Sequence, residues 1–564
     1  MLTSEALAAG LARHGVDTIF SQCFPVRTQH VAPNYGIRQI GFRTENAGGA
    51  MADGFARIAG RIAVLAGQSG PAATLLVPPM CEAIKSSIPL LVLVEEFSEI
   101  EADRNAFQEF DHFALFSGCS KWTRRVTRPE RLDDYLDMAI VQATTGRPGP
   151  VVLLLPSDFM AQEAVASPVR TAQLGAFPLD RVKPEAELLR TAAEMLKAAE
   201  RPLIVAGGGV HLSGAASEVA RLAEMGAIPV ATTNHGKGAI AETDPLSLGV
   251  FGNTMGEGAR AMDLRTYATQ ADVILLVGTR TAANGTANWT LLNTDAQFIH
   301  IDIDGAEIGR NYPAHRMVGD AKATLTALLE LLSEADFPQR NQRHDKVAAD
   351  TAKARARSDA VVDAIGPGVQ GAVRPEHLMR VLNERLRVRD IVCADASYST
   401  NWVATFLDAR APGCRFITPR GLAGLGWGLP MALGAKVARP DANVFALVGD
   451  GGFAHCWSEL ETARRMDLAI ITIVLNNQIL GYQLHGEDWF MYQHSDAAEL
   501  GPVDHAAIAR ACDCFGERVS SPDMFAPALD RALASGLPAV IDVVTDDQAH
   551  PPLSQFLSRP PAPA

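Results

Sequence analysis

The chain has 564 residues, with 50 basic and 64 acidic side chains for a formal charge of −14, and its composition is 48% hydrophobic and 20% charged. That length exceeds what one hydrophobic core fills, so two to four domains are expected, and the acidic balance without a dense Lys/Arg run argues against nucleic acid or an anionic membrane as a partner. Eight scattered cysteines without a CxxC pair read as reduced thiols of a cytoplasmic protein; residues 1–20 lack a signal-peptide layout, and no apolar stretch approaches the ~20 residues of a membrane span.

From Ile37 onward short apolar runs alternate with helix-like segments: IRQIGFR, ENAGGAMADGFARIAG, RIAVLAG, PAATLLVPPMCEAIKSS and IPLLVLVEEF, closing on GPVVLLLPSD. This is the rhythm of β-α-β units on a parallel sheet, and it predicts a first domain over 1–165. Residues 166–184 mix Pro, Gly and polar side chains without periodicity and read as a linker. A second α/β block, 185–340, carries the strands RPLIVA, ADVILLV and AQFIHIDID; a charged stretch ending in GPGVQGAVRP separates it from a third, 372–550, with strands in DIVCADAS, ANVFALVG, LAIITIVLN and LPAVIDVVT. The Pro-rich end, HPPLSQFLSRPPAPA, reads as an irregular tail. The expected fold class is α/β with three doubly wound parallel-sheet domains, their ligands at the carboxyl edges of the sheets.

The chemistry concentrates in residues 444–482. One strand ends at Gly449-Asp450-Gly451-Gly452, a helix with Phe453, Trp457, Leu460 and Ala463 at helical spacing follows, and the next strand ends at Asn476-Asn477. Parallel pairing brings Asp450 and Asn477 to one sheet edge. The glycines let backbone amides approach a diphosphate at a helix start. Asp450 carboxylate, Asn477 side-chain oxygen and the carbonyl of Ile479 are hard ligands suited to Mg²⁺. Taken singly, DGG is an ordinary turn and NN an ordinary cap; it is their joint placement after two strands that points to a magnesium diphosphate site.

This GDG…NN pattern resembles the thiamin diphosphate signature. FRTENAGGAMADGFAR, AFQEFD, ATTGRPGPVVLLLP, HIDIDGAEIG, GLAGLGWGLPMALGAKVARPD and VLNNQILGY further resemble the catalytic subunit of acetolactate synthases. The resemblance implies a pyrimidine-binding first domain, a Rossmann-like, flavoprotein-like middle domain and a diphosphate-binding third domain. It also implies a homodimer or homotetramer with active sites between subunits, and thiamin diphosphate with Mg²⁺. By the same resemblance Glu45 hydrogen-bonds the cofactor's aminopyrimidine and so activates it; position alone would make Glu45 a helix N-terminal acid. Leu425 would wedge between the cofactor rings and the Ala423 carbonyl would receive the exocyclic amine. Gly449, Gly451 and Gly452 would cradle the diphosphate. Phe107, Gln108 and Lys121 would border the substrate channel, with Gln108 orienting the intermediate. Tyr398, Ser399 and Thr400 stand where the family contacts diphosphate through a Gln-His pair.

Two departures matter. FSQCFPVRTQ puts Phe24, Pro25 and Arg27 where the family has a Gly-rich loop, and Gly486 replaces the tryptophan that selects the second 2-oxo acid. The leading expectation is therefore decarboxylation or carboligation of a 2-oxo acid or related carbonyl substrate outside the standard acetolactate synthase pair. Lysis of an acyl-CoA or a cyclic diketone stays open within the same cofactor class. From another class stands an FAD- or NAD-dependent oxidoreductase using the middle domain, where Gly207-Gly208-Gly209 lacks GxGxxG spacing. FAD or ADP as a structural ligand of that domain is also open.

Overall fold

The computed structural model describes residues 1–164 and 170–560; residues 165–169 of the expected linker and 561–564 of the expected tail lie outside the described residues. The first sheet is built from β1 (Thr18–Phe20), β2 (Arg38–Ile40), β3 (Ala63–Gln68), β4 (Leu90–Glu96), β5 (Trp122–Arg125) and β6 (Val151–Pro156), all parallel, in the order β2-β1-β3-β4-β6-β5. The second contains β7 (Pro202–Ala206), β8 (Val230–Thr232), β9 (Ser247–Val250), β10 (Val273–Val277), β11 (Gln297–Asp302) and β12 (Ala314–Val318), in the order β12-β11-β10-β7-β8-β9. Read from its other edge this is the 3-2-1-4-5-6 arrangement of dinucleotide-binding folds.

After a short antiparallel hairpin of β13 (Gly368–Val369) and β14 (Ala372–Val373) comes the third sheet. Its strands are β15 (Ile391–Ala394), β16 (Arg415–Ile417), β17 (Val444–Gly449), β18 (Ile471–Asn476), β19 (Phe515–Val519) and β20 (Ala539–Val544), in the order β16-β15-β17-β18-β20-β19. First and third sheets thus share one strand order, and each reverses direction beside its first strand, where open α/β sheets bind ligands. The central strands are apolar on both faces, as helices on both sides require. The charged stretch between the second and third blocks is a 26-residue helix, Arg340–Ile365, whose Val347 and Ala354 join the middle-domain core.

The first and third domains share a core, closed by the helices Glu45–Ala59 and Gly428–Ala438. A Cβ on Gly54 would lie 2.2 Å from the Met431 carbonyl oxygen, and one on Gly434 would lie 1.8 Å from that of Met51. Those two glycines set the separation of the helices, because any side chain there would drive backbone from backbone. Gly434→Val should therefore cost about 1–3 kcal/mol or more by overpacking, read as a fall in melting temperature. Gly449→Ala, whose Cβ meets nothing within 4 Å, should melt as wild type does.

Candidate functional site

One cavity of about 480 Å³ opens at the carboxyl ends of β15, β17 and β18. Its lining collects Tyr398, Ser399, Ala423, Leu425, Gly449, Asp450, Gly451, Gly452, Asn477 and Ile479, all of them residues singled out in the third domain. Register explains the meeting: Gly449 pairs with Leu475, so the two strands deliver Asp450 and Asn477 to the same edge one and two residues later. The Asp450 carboxylate accepts from the amides of Gly451 at 2.9 Å and Gln478 at 2.8 Å. Burial pushes its carboxyl up to about 6, the response of an anion set in a low-dielectric wall without a counter-ion.

The two asparagines divide the work. Asn476 is buried and structural, its amide donating to the Val503 carbonyl at 3.0 Å and to Asp542 at 2.8 Å. Asn477 faces the cavity, and among the described residues the only hydrogen bond to its side-chain oxygen is a long one, 3.4 Å from the amide of Ile479. Among the described residues no cluster of three or more His, Cys, Asp or Glu could hold a metal. A carboxylate, an amide oxygen and a carbonyl suit a hard cation that keeps water or phosphate oxygens in its remaining positions, so the donor set fits magnesium diphosphate. The glycines fit as well. A Cβ on Gly451 would meet Leu480 at 2.7 Å, and one on Gly452 would meet Asp395 at 2.1 Å.

The helix expected after Gly452, carrying Phe453, Trp457, Leu460 and Ala463, is two short helices, Asp450–Phe453 and Glu459–Arg465, joined by a tightened turn. Bonds from His455 to Gly452, Cys456 to Phe453 and Glu459 to Cys456 span only three residues, the tighter pattern that interrupts a regular α-helix. Phe453, Leu460 and Ala463 still reach the shared core.

Leu425 is 37% exposed into this cavity, so it is not a core residue; Ala423 holds a left-handed conformation, φ 66°. Tyr398 donates its hydroxyl to His485 Nδ1 at 3.1 Å, while His485 Nε2–H donates to the Asp547 carbonyl at 2.8 Å. Thr400 departs from expectation: it is fully buried and donates to the Asp395 carbonyl at 2.5 Å, since its place on the first turn of the Tyr398–Phe406 helix points it at backbone.

Glu45 and Gln108 are absent from the lining of this cavity. They stand at the carboxyl edge of the first sheet, Glu45 opening its helix behind the Thr44 cap. Nearby are the Phe24–Pro25 loop, anchored by a Ser21 hydroxyl bond to the Phe24 carbonyl at 2.6 Å, and Glu95, which accepts from Val26 N at 2.7 Å. Burial, then Glu95 and Glu45, push the Cys23 thiol up, tying these groups to one surface. Gln108 holds a left-handed φ of 63° with a buried Oε1 that finds no hydrogen-bond donor among the described residues; Phe107 beside it is 83% exposed. The ammonium of Lys121 donates to the carbonyls of Gln142, Thr145 and Arg147, where a cation satisfies a helix C-terminus.

Four buried acids that the sequence reading passed over position these loops. Asp395 accepts from the amides of Gly426 and Trp427 at 2.9 and 3.1 Å. Glu82 accepts from Gly421 and Leu422 at 2.9 and 2.5 Å, and Glu459 from Arg43 and Thr44 at 3.0 and 3.1 Å. Asp542 accepts from Asn476 and from the His505 amide at 3.0 Å. Burial raises Asp395 and Glu459. In Glu82 burial acts upward too, but Arg57 and His235 outweigh it and hold the carboxyl low. The available signal was an acid inside an apolar run, as in CADAS and AVIDVV, which is costly unless bonded.

In the middle domain a second cavity lies at the ends of β7, β8, β10 and β11, lined by Gly208, Gly209, Thr233, Arg280, Asp302 and Asp320 among others. The glycine run there serves packing: Cβ atoms on Gly207 and Gly209 would lie 2.3 Å from the Gly278 carbonyl oxygen and 2.7 Å from its Cα. Burial pushes Asp302 up to about 6.

Comparison with known proteins follows the same division. Three models of the thiamine pyrophosphate enzyme family match: the N-terminal TPP binding domain on residues 1–115, the central domain on 189–328 and the C-terminal TPP binding domain on 395–543. A probable acetolactate synthase large subunit of Methanocaldococcus jannaschii is 33% identical over 97% of this chain and 92% of its own length. A probable acetolactate synthase large subunit of Methanococcus aeolicus is 30% identical over 89% and 85%, and the chloroplastic acetolactate synthase of Arabidopsis thaliana 29% identical over 97% and 82%.

Asp395→Ala should free the Gly426–Trp427 turn. Two unpaired amides cost about 2 kcal/mol or more, and hydrogen exchange at Gly426 and Trp427 should quicken by about tenfold or more while the middle domain's amides keep their rates.

Proposed function

The chain belongs to the thiamine pyrophosphate enzyme family, as an acetolactate synthase-like enzyme of the carboligase type, and we propose that it decarboxylates a 2-oxo acid and transfers or releases the remaining acyl unit in a Mg²⁺-dependent reaction. One observation carries this reading: a single cavity gathers Asp450, Asn477, Ile479, the glycines and Leu425, while Glu45 and Gln108 stand outside it. Asp450, Asn477 and the Ile479 carbonyl would hold the metal, and the amides following Gly449 would receive the diphosphate. Bound thiamin diphosphate supplies a nucleophilic carbon and an electron sink for cleavage next to a carbonyl. Leu425 would support the ring faces, and the Ala423 carbonyl would accept the exocyclic amine. Glu45 of a second copy would hold the proton at the aminopyrimidine nitrogen, and Gln108 of that copy would orient the substrate carbonyl. The exposed Phe107, Phe110 and Phe113 flanking Gln108 support burial of this edge in a homodimer or homotetramer.

Gly486, where an added Cβ meets nothing within 4 Å, and the Phe24–Arg27 loop argue for a substrate outside the standard acetolactate synthase pair. Eight free thiols accord with the cytoplasm, and among the described residues no helix is long and apolar enough to cross a membrane. The middle-domain cavity is our proposed position for a structural adenine nucleotide, FAD or ADP. An absorbance spectrum and the mass spectrum of ligands released on denaturation identify it.

Glu45→Gln and Asp450→Ala should each abolish CO₂ release from a panel of 2-oxo acids, for different reasons: calorimetry should find thiamin diphosphate bound in the first and lost in the second. Mixing and reassociating the two inactive proteins should restore part of the activity, since mixed oligomers hold one intact site. A mixture as inactive as its components overturns the shared site. If the panel yields no CO₂ while an acyl-CoA or a cyclic diketone is cleaved, the lyase reading replaces this one.

A further inference from the structure

Arg420 stands between the two cavities, lining the Asp450 cavity on one side and the middle-domain cavity on the other. Its Nε is buried without a hydrogen-bond partner, and among the described residues its guanidinium has neither a carboxylate at bonding distance nor a carbonyl to donate to. Glu82, the acid whose charge acts on Arg420, is already spent: its oxygens accept from Ser86 at 2.5 Å, Arg57 at 3.4 Å, and the amides of Gly421 and Leu422. Desolvation consequently lowers the Arg420 pKa, against a small contrary effect of Tyr482 and Glu82. An arginine held this way is uncommon, because a partly desolvated cation without a counter-ion destabilises the fold that holds it.

The walls make the charge more telling. Among the described residues Arg420 is the one cationic side chain lining the Asp450 cavity, where Asp395, Asp450 and Asp546 otherwise set the sign. Asp395 is bonded to backbone amides and Asp546 to Arg374 at 2.8 Å. On the other side, Arg280 lines the middle cavity, also without a carboxylate partner among the described residues. A planar fork aimed between two ligand spaces matches an oxyanion, which it binds through paired, charge-assisted hydrogen bonds.

We propose that Arg420 is the oxyanion receptor of this enzyme: its unpaired guanidinium, shared by both cavities, grips the carboxylate of the substrate or the phosphate of a nucleotide in the middle domain. The assignment deepens the functional reading above and takes the substrate class from it. Its role is recognition, fixing which end of an anionic ligand faces the junction.

The test is calorimetric titration of pyruvate and, separately, of ADP into full-length protein freed of small molecules, for wild type, R420Q and R420K. At least one anion should bind wild type, with binding about tenfold or more weaker in R420Q and about threefold weaker in R420K, which keeps the charge but not the fork. A loss confined to pyruvate assigns Arg420 to a carboxylate; a loss confined to ADP assigns it to a phosphate. Should R420Q fail to fold, R420K decides. The proposal is overturned if neither anion binds wild type, or if the folded variants bind both as wild type does. Thiamin diphosphate with Mg²⁺, titrated in parallel, keeps the two readings apart: its failure to bind wild type removes the proposed function while Arg420-dependent anion binding still stands.

Discussion

A buried carboxylate destabilises a fold unless backbone or side-chain donors take up its charge, and the candidate site depends on four that meet this condition. Glu82, Asp395, Glu459 and Asp542 are each at most 1% exposed, and each accepts hydrogen bonds from the backbone or side chain of a loop that carries a functional residue. Glu82 and Asp395 pin opposite ends of the segment from Gly421 to Trp427, between which Ala423 and Leu425 are presented to the cavity. Glu459 reaches from the third domain to the two residues before Glu45. Asp542 clamps Asn476, so that Asn477, one residue on, has a fixed origin. None of these acids needs to touch a ligand to matter.

The glycine contact between the helices Glu45–Ala59 and Gly428–Ala438 extends the same logic to whole domains. With Gly54 and Gly434 allowing backbone against backbone, the first and third sheets share a common core. That arrangement stabilises the subunit and also leaves Glu45 out of the cavity that contains Asp450. The half-sites of the two sheets are equivalent in topology, each at the carboxyl edge beside a reversal of strand order.

The α/β class, the three sheets and the cavity-lining set of the third domain were legible in residue order. Parallel strands with apolar cores announce themselves as short hydrophobic runs, and GDGG and NN fall at the ends of two of them. Other features were not legible, because they arise from approaches between distant segments. The ammonium of Lys121 donates to the carbonyls of Gln142, Thr145 and Arg147, all more than twenty residues away in sequence. Thr400 sits beside two cavity residues, yet its helical turn aims it at backbone. The helix over Phe453 to Ala463 is interrupted before Glu459 by bonds that span three residues, although its apolar residues keep helical spacing.

By itself the amino-acid order determined the donor chemistry: which strand ends carry an acid, an amide and glycines, and hence which cofactor class they suit. That follows because strand and helix periodicity are local properties, and motif residues at strand ends inherit their placement from them. Only the tertiary structure decided which charges remain free, since pairing depends on groups hundreds of residues apart. Glu459 against Thr44, Glu82 against Gly421, and the unpaired guanidinium of Arg420 are outcomes of packing, where desolvation and hydrogen-bond geometry, rather than spacing along the chain, fix the result.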